Sequence, residues 1–383
     1  MYHPQFSYTH SIVKDLMSIE RSRAIVELMP VPAHIERNLK EQAKLKMTHY
    51  STRIEGNTLD LEQVTRVVKQ KQDQTRIPVE EEVRNYWEAL SFLAREKQKS
   101  TLISENFIQK LHSIIVQHGT GRKPTKSKYR GATPPGILFA VYDNLTKKPE
   151  YIPPEYSDVP ILMEQFIEWI QKEKSLPIPV KAAIMTYQFL TIHPFEDGNG
   201  RTARALASYL LSTSNYDVKG FYSMEEYYVE DLQGYYKHLQ MGLPPLYYDG
   251  RNNPKDLAPW VGYFVRIMAL AYEKVANLAE RFATNNSDTR ITQLEPNEKT
   301  LLRYLIAKQR PVKPKEIADM FQVHPRTISK WAVLWMEKGI IESASGEKRI
   351  TSYKLGTKYL DITLNHLGYR DNFLLEGGIS FEI

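Results

Sequence analysis

The stretch from Ile192 to Arg204 gathers side chains that could carry out chemistry on a phosphate group. Gly198 and Gly200 permit positive φ, so successive backbone N–H groups can converge on an anion. A helix that follows the glycines would add the positive end of its dipole at the same point. Arg201 lies three residues before Arg204, so both cations fall on roughly one face of the first turn. Together these features predict a cradle for an anion.

The same stretch contains two further candidates for chemistry. Asp197 could hold a hard cation such as Mg²⁺ through its carboxylate oxygens, and His193 is a candidate general base. Cations in the first turn of a helix oppose the helix dipole, at a cost of roughly a few tenths of a kcal/mol or more each, and a bound anion would reverse that cost. Taken singly, the residues also fit a turn with a buried histidine and surface arginines. A Walker A loop is excluded, because no Gly-x-x-x-x-Gly-Lys-Ser/Thr occurs in the sequence.

The elements on either side would place this loop between two buried helices. Apolar residues recur at helical spacing from Val180 to Ile192 and again from Ala203 to Leu211. The loop is therefore expected to be short, polar and held by the core rather than free on the surface.

The run from His193 to Arg204 resembles the signature of the Fic family, His-x-Phe-x-Asp/Glu-Gly/Ala-Asn-Gly/Lys-Arg-x-x-Arg, and every defined position matches. The resemblance implies nucleotidyl transfer, most often of AMP from ATP to a hydroxyl of a target protein. It also implies that His193 deprotonates that hydroxyl, that Asp197 binds Mg²⁺, and that Phe195 anchors the loop in the core. ATP as substrate and Mg²⁺ are therefore the expected cofactors.

By the same resemblance, the phosphates of ATP contact the glycine-rich turn and both arginines. Asn199 and the amides of its two flanking glycines would hold the α- and β-phosphates, joined by Arg201. Arg204 would meet the γ-phosphate. The tyrosine-rich segment from Glu225 to Met241 corresponds to the region that lines the adenine pocket, although packing between helices is an alternative role for its tyrosines. The predicted nucleotide-binding residues are Gly198, Asn199, Gly200, Arg201, Thr202, Ala203, Arg204, Tyr228 and Tyr235.

A second segment, Ser51 to Asn57, breaks the rules for a helix end. Glu55 falls in the last turn of a helical pattern, where negative charge is unfavourable, and Gly56 or Asn57 would suit the left-handed cap that closes the helix. A solvated surface acid would explain Glu55 alone. The segment also resembles the inhibitory motif of Fic proteins, Ser/Thr-x-x-x-Glu-Gly/Asn, in the class whose inhibitory helix precedes the catalytic core. The resemblance implies regulatory roles for Ser51, Glu55 and Gly56, and we expect a Glu55–Arg204 ion pair that competes with the γ-phosphate.

Composition bounds the class of protein. The 383 residues are 42% hydrophobic and 25% charged, which is ordinary for a soluble globular protein with two or three domains. The sequence has no cysteine, so disulfides and thiolate metal sites are ruled out. No signal peptide is visible, and the most hydrophobic long stretch, Trp260 to Ala279, contains Arg266, Glu273 and Lys274. We therefore expect a cytoplasmic protein with no membrane partner.

The positive charge is concentrated near the C-terminus. The chain carries a formal charge of +6, and residues 291–360 contain 13 Lys and Arg against 7 Asp and Glu, which accounts for the whole excess. A basic segment of this kind favours a nucleic-acid partner. Arg326, Thr327, Ser329 and Lys330 would lie at the start or on the outer face of a helix within it.

The pattern inside this basic segment resembles a winged helix-turn-helix domain. Lys315–Phe321 and Pro325–Lys338 read as two helices joined by a tight turn. Ile340–Glu342 and Ile350–Leu355 would then flank Ser345-Gly346-Glu347 as strands flank a wing. Winged helices bind duplex DNA or dock other proteins, and the sequence leaves both partners open.

A small hairpin is expected just before the core helices. Ile137–Tyr142 and Pro149–Ile152 could pair across Asp143-Asn144. The position resembles the flap of Fic proteins, which holds a target segment by adding it as a strand. A purely structural connection is the alternative.

We therefore expect a mainly α protein: a Fic-like helical core with a small β-hairpin flap, followed by a C-terminal winged-helix domain of the α+β class. The expected domains are an N-terminal helical region with the inhibitory motif (1–99), a catalytic domain with following helices (100–284), the winged helix (285–360) and a tail (361–383). Asn285 to Asp288 reads as the linker before the winged helix.

The expected function is that of a protein adenylyltransferase, acting on a Ser, Thr or Tyr hydroxyl of a target protein, this chain included. Transfer of UMP or another phosphate-containing group, and removal of AMP, would use the same residues and stay open. A DNA-binding regulator that only senses nucleotide is disfavoured, because sensing ATP would not need the base His193. The identity of the target and the oligomeric state, a homodimer included, are not readable from the sequence.

Overall fold

The computed structural model describes residues 2–28, 33–70, 77–117, 127–142, 148–246, 256–285, 289–344, 350–360, 362 and 367. Most of these residues are helical, and their strands form two short antiparallel hairpins, so the mainly α class is confirmed. The chain divides into two compact units, residues 1–278 and 279–383. None of the helices in the described ranges combines the length and the apolar surface that a bilayer span demands.

The first unit contains a series of helices and one hairpin. They are α1 (His10–Leu28), α2 (Ala33–Ile54), α3 (Leu61–Lys69), α4 (Pro78–Gln98), α5 (Glu105–Ile115), β1 (Val141–Tyr142), β2 (Pro149–Tyr151), α6 (Val159–Lys172), α7 (Ile178–Ile192), α8 (Asn199–Thr213), α9 (Glu225–Glu230), α10 (Leu232–Gln240) and α11 (Ala258–Asn285).

α7 lies at the centre of the first unit. Every residue from Pro179 to Ile192 is buried, which follows from a sequence that is apolar on all faces of the helix. α8 packs along it and is itself mostly buried, with α4 and α5 against its other side. The short loop between α7 and α8 is therefore held by two core helices, as the sequence predicts.

α2 carries the Ser51–Asn57 segment to this loop. The helix packs against α4 and α9. The buried hydroxyls of Thr48 and Thr52 donate to carbonyls one turn earlier, so both hydroxyls are paired within the helix. α2 ends at Ile54, and Gly56 has a φ of 98°, which confirms the predicted left-handed residue.

The hairpin and the tyrosine-rich segment are less regular than the sequence suggests. β1 and β2 pair antiparallel, with Val141 opposite Tyr151, and are shorter than the predicted strands. The predicted turn residues Asp143 and Asn144 lie outside the described residues. The tyrosine-rich segment divides into α9 and α10 at Asp231, whose carboxylate accepts from the Gly234 N–H at 3.1 Å and so caps α10.

The second unit has a core of its own. Its elements are α12 (Thr289–Thr292), α13 (Pro296–Lys308), α14 (Pro314–Phe321), α15 (Pro325–Glu337), β3 (Ile341–Ser343) and β4 (Tyr353–Leu355). The stripe Ile328, Ala332 and Trp335 of α15 is buried in that core, as the helical spacing predicts. β3 pairs antiparallel with β4.

The order of helix, turn, helix and hairpin in the second unit is the one that a winged helix requires, and that assignment stays a prediction. The predicted wing residues Ser345 to Glu347 lie outside the described part of the chain. So do residues 286–288 of the predicted linker and most of the tail after residue 360.

Candidate active site

His193 ends α7 in the left-handed region, with a φ of 50°. Its Nδ1 lies 3.3 Å from the Leu190 carbonyl oxygen. Because a carbonyl can only accept, Nδ1 carries the hydrogen and Nε2 keeps its lone pair. Burial lowers the pKa of the imidazole from 6.5 to about 4, and the nearby charge of Arg130 acts in the same direction. The ring is therefore neutral at pH 7 and able to accept a proton.

Arg130 fixes the start of the loop from a distant part of the chain. Its Nε donates to the His193 carbonyl at 2.8 Å, and its backbone N–H donates to the Pro194 carbonyl at 2.9 Å. The guanidinium also donates to the Pro154 carbonyl, next to β2. Arg130 is only 7% exposed. The base and the segment after the hairpin are thus joined through one buried side chain, which no motif in the sequence singles out.

Phe195 and Asn199 hold the middle of the loop. Phe195 is 1% exposed, which agrees with its predicted role as an anchor. The Asn199 side chain accepts from the Phe195 N–H at 3.1 Å and donates to the Phe195 carbonyl at 2.8 Å. Both ends of the amide are therefore used within the loop.

His112 lies directly beneath the turn. Its ring stacks on Phe195, with centroids 3.6 Å apart and planes at 14°. Its Nε2 donates to the Asp197 carbonyl at 2.7 Å, and its Nδ1 accepts from the Ser127 hydroxyl at 2.7 Å. Burial lowers the pKa of His112 to about 4. No motif in the sequence points to His112.

Gly198 is required by both conformation and space. Its φ is 74°, in the region that glycine adopts without strain. A Cβ at this position would lie 2.6 Å from Val116 Cγ1 and 3.3 Å from His112 Nε2. The turn therefore sits too close to α5 for any side chain at residue 198.

Asp197 and Arg201 form the outer edge of the site. The Asp197 side chain is 77% exposed, and its carboxylate lies 3.2 Å from the Arg201 guanidinium. The Arg201 side chain, 8% exposed, also pairs with Glu82 of α4 at 2.7 Å. The second carboxylate oxygen of Glu82 accepts from the Asn57 amide at 2.7 Å. Asn57 is the last residue of the Ser51–Asn57 segment, so a chain of polar contacts joins that segment to Arg201.

Arg204 is bound by the end of α2. Its Nε donates to the Ser51 hydroxyl at 2.9 Å, and its Nη2 donates to the Ser51 carbonyl and to the Glu55 carboxylate, each at 2.8 Å. Arg204 is 3% exposed, whereas the Glu55 side chain is 31% exposed. Burial acts to lower the pKa of the guanidinium, but the charge and hydrogen bond of Glu55, together with Tyr235 and Tyr86, hold the pKa above its ordinary value. The expected Glu55–Arg204 ion pair is therefore present.

The carboxylate of Glu55 also covers Gly200. A Cβ on Gly200 would lie 2.2 Å from Glu55 Oε1 and 3.1 Å from Arg204 Nη1. Glycine at residue 200 thus permits close approach of the acid and is not called for by an unusual φ. The first turn of α8, whose N–H groups lack intrahelical acceptors, faces a negative group at this point.

A cleft of about 800 Å³ opens beside these residues. It is lined by His193, Gly200, Arg204 and Glu55, by Tyr151 of β2, and by the α10 residues Tyr235, Tyr236, Leu239 and Gln240. Tyr235 thus reaches the cleft as predicted. Tyr228 does not line it but contacts Tyr235 from behind, with ring centroids 4.8 Å apart. Tyr236 was not singled out from the sequence, although it is next to Tyr235.

Thr202 and Ala203 are fully buried and do not line the cleft. The Thr202 N–H donates to the Gly198 carbonyl at 3.0 Å. Any contact of these two residues with nucleotide would have to come from the backbone of the helix start rather than from their side chains.

The donor set near the loop suits Mg²⁺ better than a metal that needs several protein ligands. Within the described residues no group of three or more His, Asp or Glu side chains is arranged to hold a metal ion. Asp197 offers one exposed carboxylate beside the anion cradle. Mg²⁺ is commonly bound by one or two carboxylates together with substrate phosphates and waters, so Asp197 fits that ion.

Comparisons with known proteins agree with this geometry. Residues 102–211 match the family model described as Fic/DOC family. The chain is 25% identical over 304 residues to the protein adenylyltransferase Fic of Drosophila willistoni, covering 77% of this chain and 53% of that protein. It is 27% identical over 259 residues to the protein of the same name from Culex quinquefasciatus, covering 67% of this chain and 45% of that one. The chain thus spans about half the length of these curated relatives.

Solved structures show the same fold. A Fic family protein from Desulfovibrio desulfuricans G20 superposes with a TM-score of 0.63 at 21% identity, covering 93% of this chain and 99% of that one. Fic-1 (residues 134–508) from C. elegans gives a TM-score of 0.54 at 23% identity, over 72% and 74% of the two chains. Residues 102–211, with the loop and its two core helices, therefore match the Fic/DOC family model, and the chain shares the fold of solved Fic structures.

Proposed function

We propose that this chain is a protein adenylyltransferase, which transfers AMP from Mg·ATP to a hydroxyl side chain of a target protein. One observation carries the proposal: a neutral, partly buried imidazole, the first turn of a helix and a buried arginine line a single cleft of about 800 Å³. A base beside an anion cradle suits attack by a hydroxyl on a phosphorus atom. The relatives named protein adenylyltransferase support the same reaction.

In the proposed reaction, Nε2 of His193 accepts the proton as the target hydroxyl oxygen bonds to the α-phosphorus. The bond from that phosphorus to the bridging oxygen breaks, and pyrophosphate leaves. The N–H groups of Gly198 and Gly200 and the guanidinium of Arg201 stabilise the charge on the phosphate oxygens. Mg²⁺, held by Asp197, would supply further charge neutralisation there.

We propose more specific roles for three of the predicted nucleotide contacts, Asn199, Tyr228 and Tyr235. The Asn199 side chain is fully engaged with Phe195, so we assign it to shaping the turn. Tyr235 borders the cleft on the side of α10, where a flat aromatic surface suits an adenine ring. Tyr228 supports Tyr235 from the side away from the cleft.

We further propose that the end of α2 inhibits the enzyme. Arg204 is the residue that we assign to the γ-phosphate, and it already binds Ser51 and Glu55. A triphosphate must therefore either displace Glu55 or bind without its contact to Arg204. Gly56 ends α2 in a conformation that other residues rarely adopt and so sets the position of Glu55.

We also propose that the target is a protein, that ATP is preferred over other nucleotides, and that the chain acts in the cytoplasm. Transfer of another nucleotide and removal of AMP use the same residues. The flap supports a protein target, because β1 and β2 border the cleft next to the base and leave a strand edge that an extended segment could join.

Incubation of the chain with labelled ATP, UTP, GTP and CTP in turn, followed by mass spectrometry of the chain itself, tests the reaction. The Glu55→Gly variant should modify itself with AMP about 5 to 150 times faster than the unaltered chain, the range typical of a regulatory coupling. Glu41→Gly, on an exposed turn of the same helix, is the matched control and should match the unaltered chain. Equal rates for all three proteins would contradict inhibition by Glu55, and incorporation of no nucleotide by any of them would contradict the transfer reaction.

A second proposal concerns α15. Arg326, Ser329 and Lys330 are exposed on the face of α15 opposite its buried stripe. An exposed helix start with basic and hydroxyl side chains suits the major groove of duplex DNA. We propose DNA as the partner of the second unit, with docking of another protein as the alternative outcome.

A further inference from the structure

The contacts of His112 do more than pack its ring, because they also fix the direction of the Asp197–Gly198 peptide group. Nε2 of His112 donates to the Asp197 carbonyl at 2.7 Å, so this oxygen points down toward α5. No cis peptide occurs among the described residues. In a trans peptide the C=O and the N–H of the next residue point in opposite directions. Fixing the Asp197 carbonyl therefore turns the Gly198 N–H to the opposite side of the turn, away from His112.

The Gly198 N–H is free to bind a ligand. Among the described residues it has no hydrogen-bond acceptor. Its neighbours at the start of α8 also carry N–H groups without intrahelical partners. An uncompensated N–H beside a helix start is the kind of donor that an anion would satisfy.

His112 is itself held in a single orientation. Ser127 donates to Nδ1 at 2.7 Å, which places the ring hydrogen on Nε2, opposite the Asp197 carbonyl. Stacking on Phe195 at 3.6 Å fixes the plane of the ring. A ring with both nitrogens engaged and one face covered has little freedom to follow the turn if the turn moves.

We propose that His112 is a positioning residue for the transfer reaction: it sets the Asp197–Gly198 peptide so that the Gly198 N–H faces the phosphates while the Asp197 side chain stays exposed. The inference rests on the proposed function, since it names how the phosphate cradle is kept in shape. His112 does not touch the nucleotide. Its effect passes through one backbone carbonyl.

Two variants separate the hydrogen bond from the packing of the ring, both made in the Glu55→Gly background so that inhibition does not obscure the result. His112→Phe keeps a flat ring against Phe195 but lacks the donor. His112→Gln loses the ring but can place its amide N–H close to the position of Nε2. Thermal melting of both variants by circular dichroism shows whether each is folded before the rates are compared.

We expect His112→Phe to bind Mg·ATP about 10-fold more weakly by calorimetry and to transfer AMP about 10²-fold more slowly, the loss typical of a misdirected backbone donor. The larger loss should fall on kcat, because the phosphate oxygens gain charge as pyrophosphate leaves. His112→Gln should recover most of both quantities.

Two results would overturn the proposal. His112→Phe could match its parent in affinity and kcat, or His112→Gln could lose as much as His112→Phe, which would make the ring a packing group only. A Glu55→Gly parent that binds Mg·ATP but transfers no AMP would contradict the transfer reaction alone. The Mg·ATP affinities of the two His112 variants would still test the role of His112.

Discussion

Two helix starts in this chain carry pairs of basic residues, and their surroundings differ completely. At the start of α8, Arg201 and Arg204 are 7% and 3% exposed, and each has an acidic partner within 2.8 Å. In the first turns of α15, Arg326 and Lys330 are exposed and form no ion pair with any described residue. A substrate of α8 must therefore replace an existing partner, whereas a partner of α15 meets hydrated charges that are free.

The difference follows from the cost of burying charge. A buried guanidinium without a partner is strongly unfavourable, so the fold must provide an anion of its own when the substrate is absent. Glu55 and Glu82 serve that purpose for α8. Exposed charges need no such partner, because water solvates them, and they lose little when salt screens them. Control by competition is thus possible at α8 and not at α15.

The largest expected effect lies at the base beside α8. His193→Ala, made in the Glu55→Gly background, should lower AMP transfer about 10² to 10⁴-fold, the usual loss on removing a general base. Mg·ATP binding should persist, because the phosphate cradle is unchanged. Calorimetry and labelled-AMP incorporation, measured on the same preparation, decide the matter, and undiminished incorporation would remove His193 from the mechanism.

A direct comparison of the two helix starts comes next in size. Arg204→Ala in the Glu55→Gly background should lower AMP transfer about 10 to 150-fold, as expected for loss of a charged hydrogen bond of about 1.5–3 kcal/mol. Arg326→Ala in the same background should leave the transfer rate unchanged. If both variants lose activity equally, the proposed division of roles between α8 and α15 is wrong.

Binding of duplex DNA tests the other half of the comparison. If α15 contacts phosphates, the affinity of the full chain for DNA should fall steeply with salt, and Arg326→Ala with Lys330→Ala should reduce the slope against log salt by about 2. Arg204→Ala, whose charge is buried, serves as the control and should bind DNA normally. Gel shifts at several salt concentrations measure this, and no binding even at low salt would favour a protein partner.

The smallest effect is the dependence on pH. Burial lowers the pKa values of His49, His112 and His193 to about 4, whereas in an unfolded chain they titrate near 6.5. The unfolded chain therefore binds protons that the native chain does not bind. The free energy of unfolding should fall as pH drops from about 6.5 toward 4. We expect a melting temperature a few degrees lower at pH 5 than at pH 7.5. A higher melting temperature at pH 5 would contradict the buried neutral histidines.

Sequence reasoning located the parts of the site whose signal is local. The loop from His193 to Arg204 was predicted because glycines and arginines have positional meaning at a helix start. Glu55 was predicted because it combines an unfavourable charge at a helix end with the resemblance of its segment to the inhibitory motif. Glu55 at a helix end and Arg204 at a helix start each break a local rule, and the two side chains form an ion pair at 2.8 Å. Such conflicts with local rules can be seen without a structure.

The residues that hold the loop in place gave no local signal. His112 and Arg130 contact the loop across 85 and 63 positions of the chain, and Glu82 reaches Arg201 from another helix. Nothing in the spacing of these residues marks them, because a buried polar side chain on an amphipathic helix looks like any other. The break between α9 and α10 was also not predicted, because it depends on the cap at Asp231.

The position of Glu55 has a consequence for which nucleotides the inhibited chain can tell apart. Its ion pair is with Arg204, the residue that we assign to the γ-phosphate. A diphosphate or monophosphate makes no demand on that arginine, so ADP and AMP should bind the unaltered chain and the Glu55→Gly variant alike. ATP alone should gain affinity when the acid is removed. Inhibition of this kind raises the relative occupancy of spent nucleotide, which makes the resting enzyme sensitive to the ratio of ATP to ADP rather than to ATP by itself.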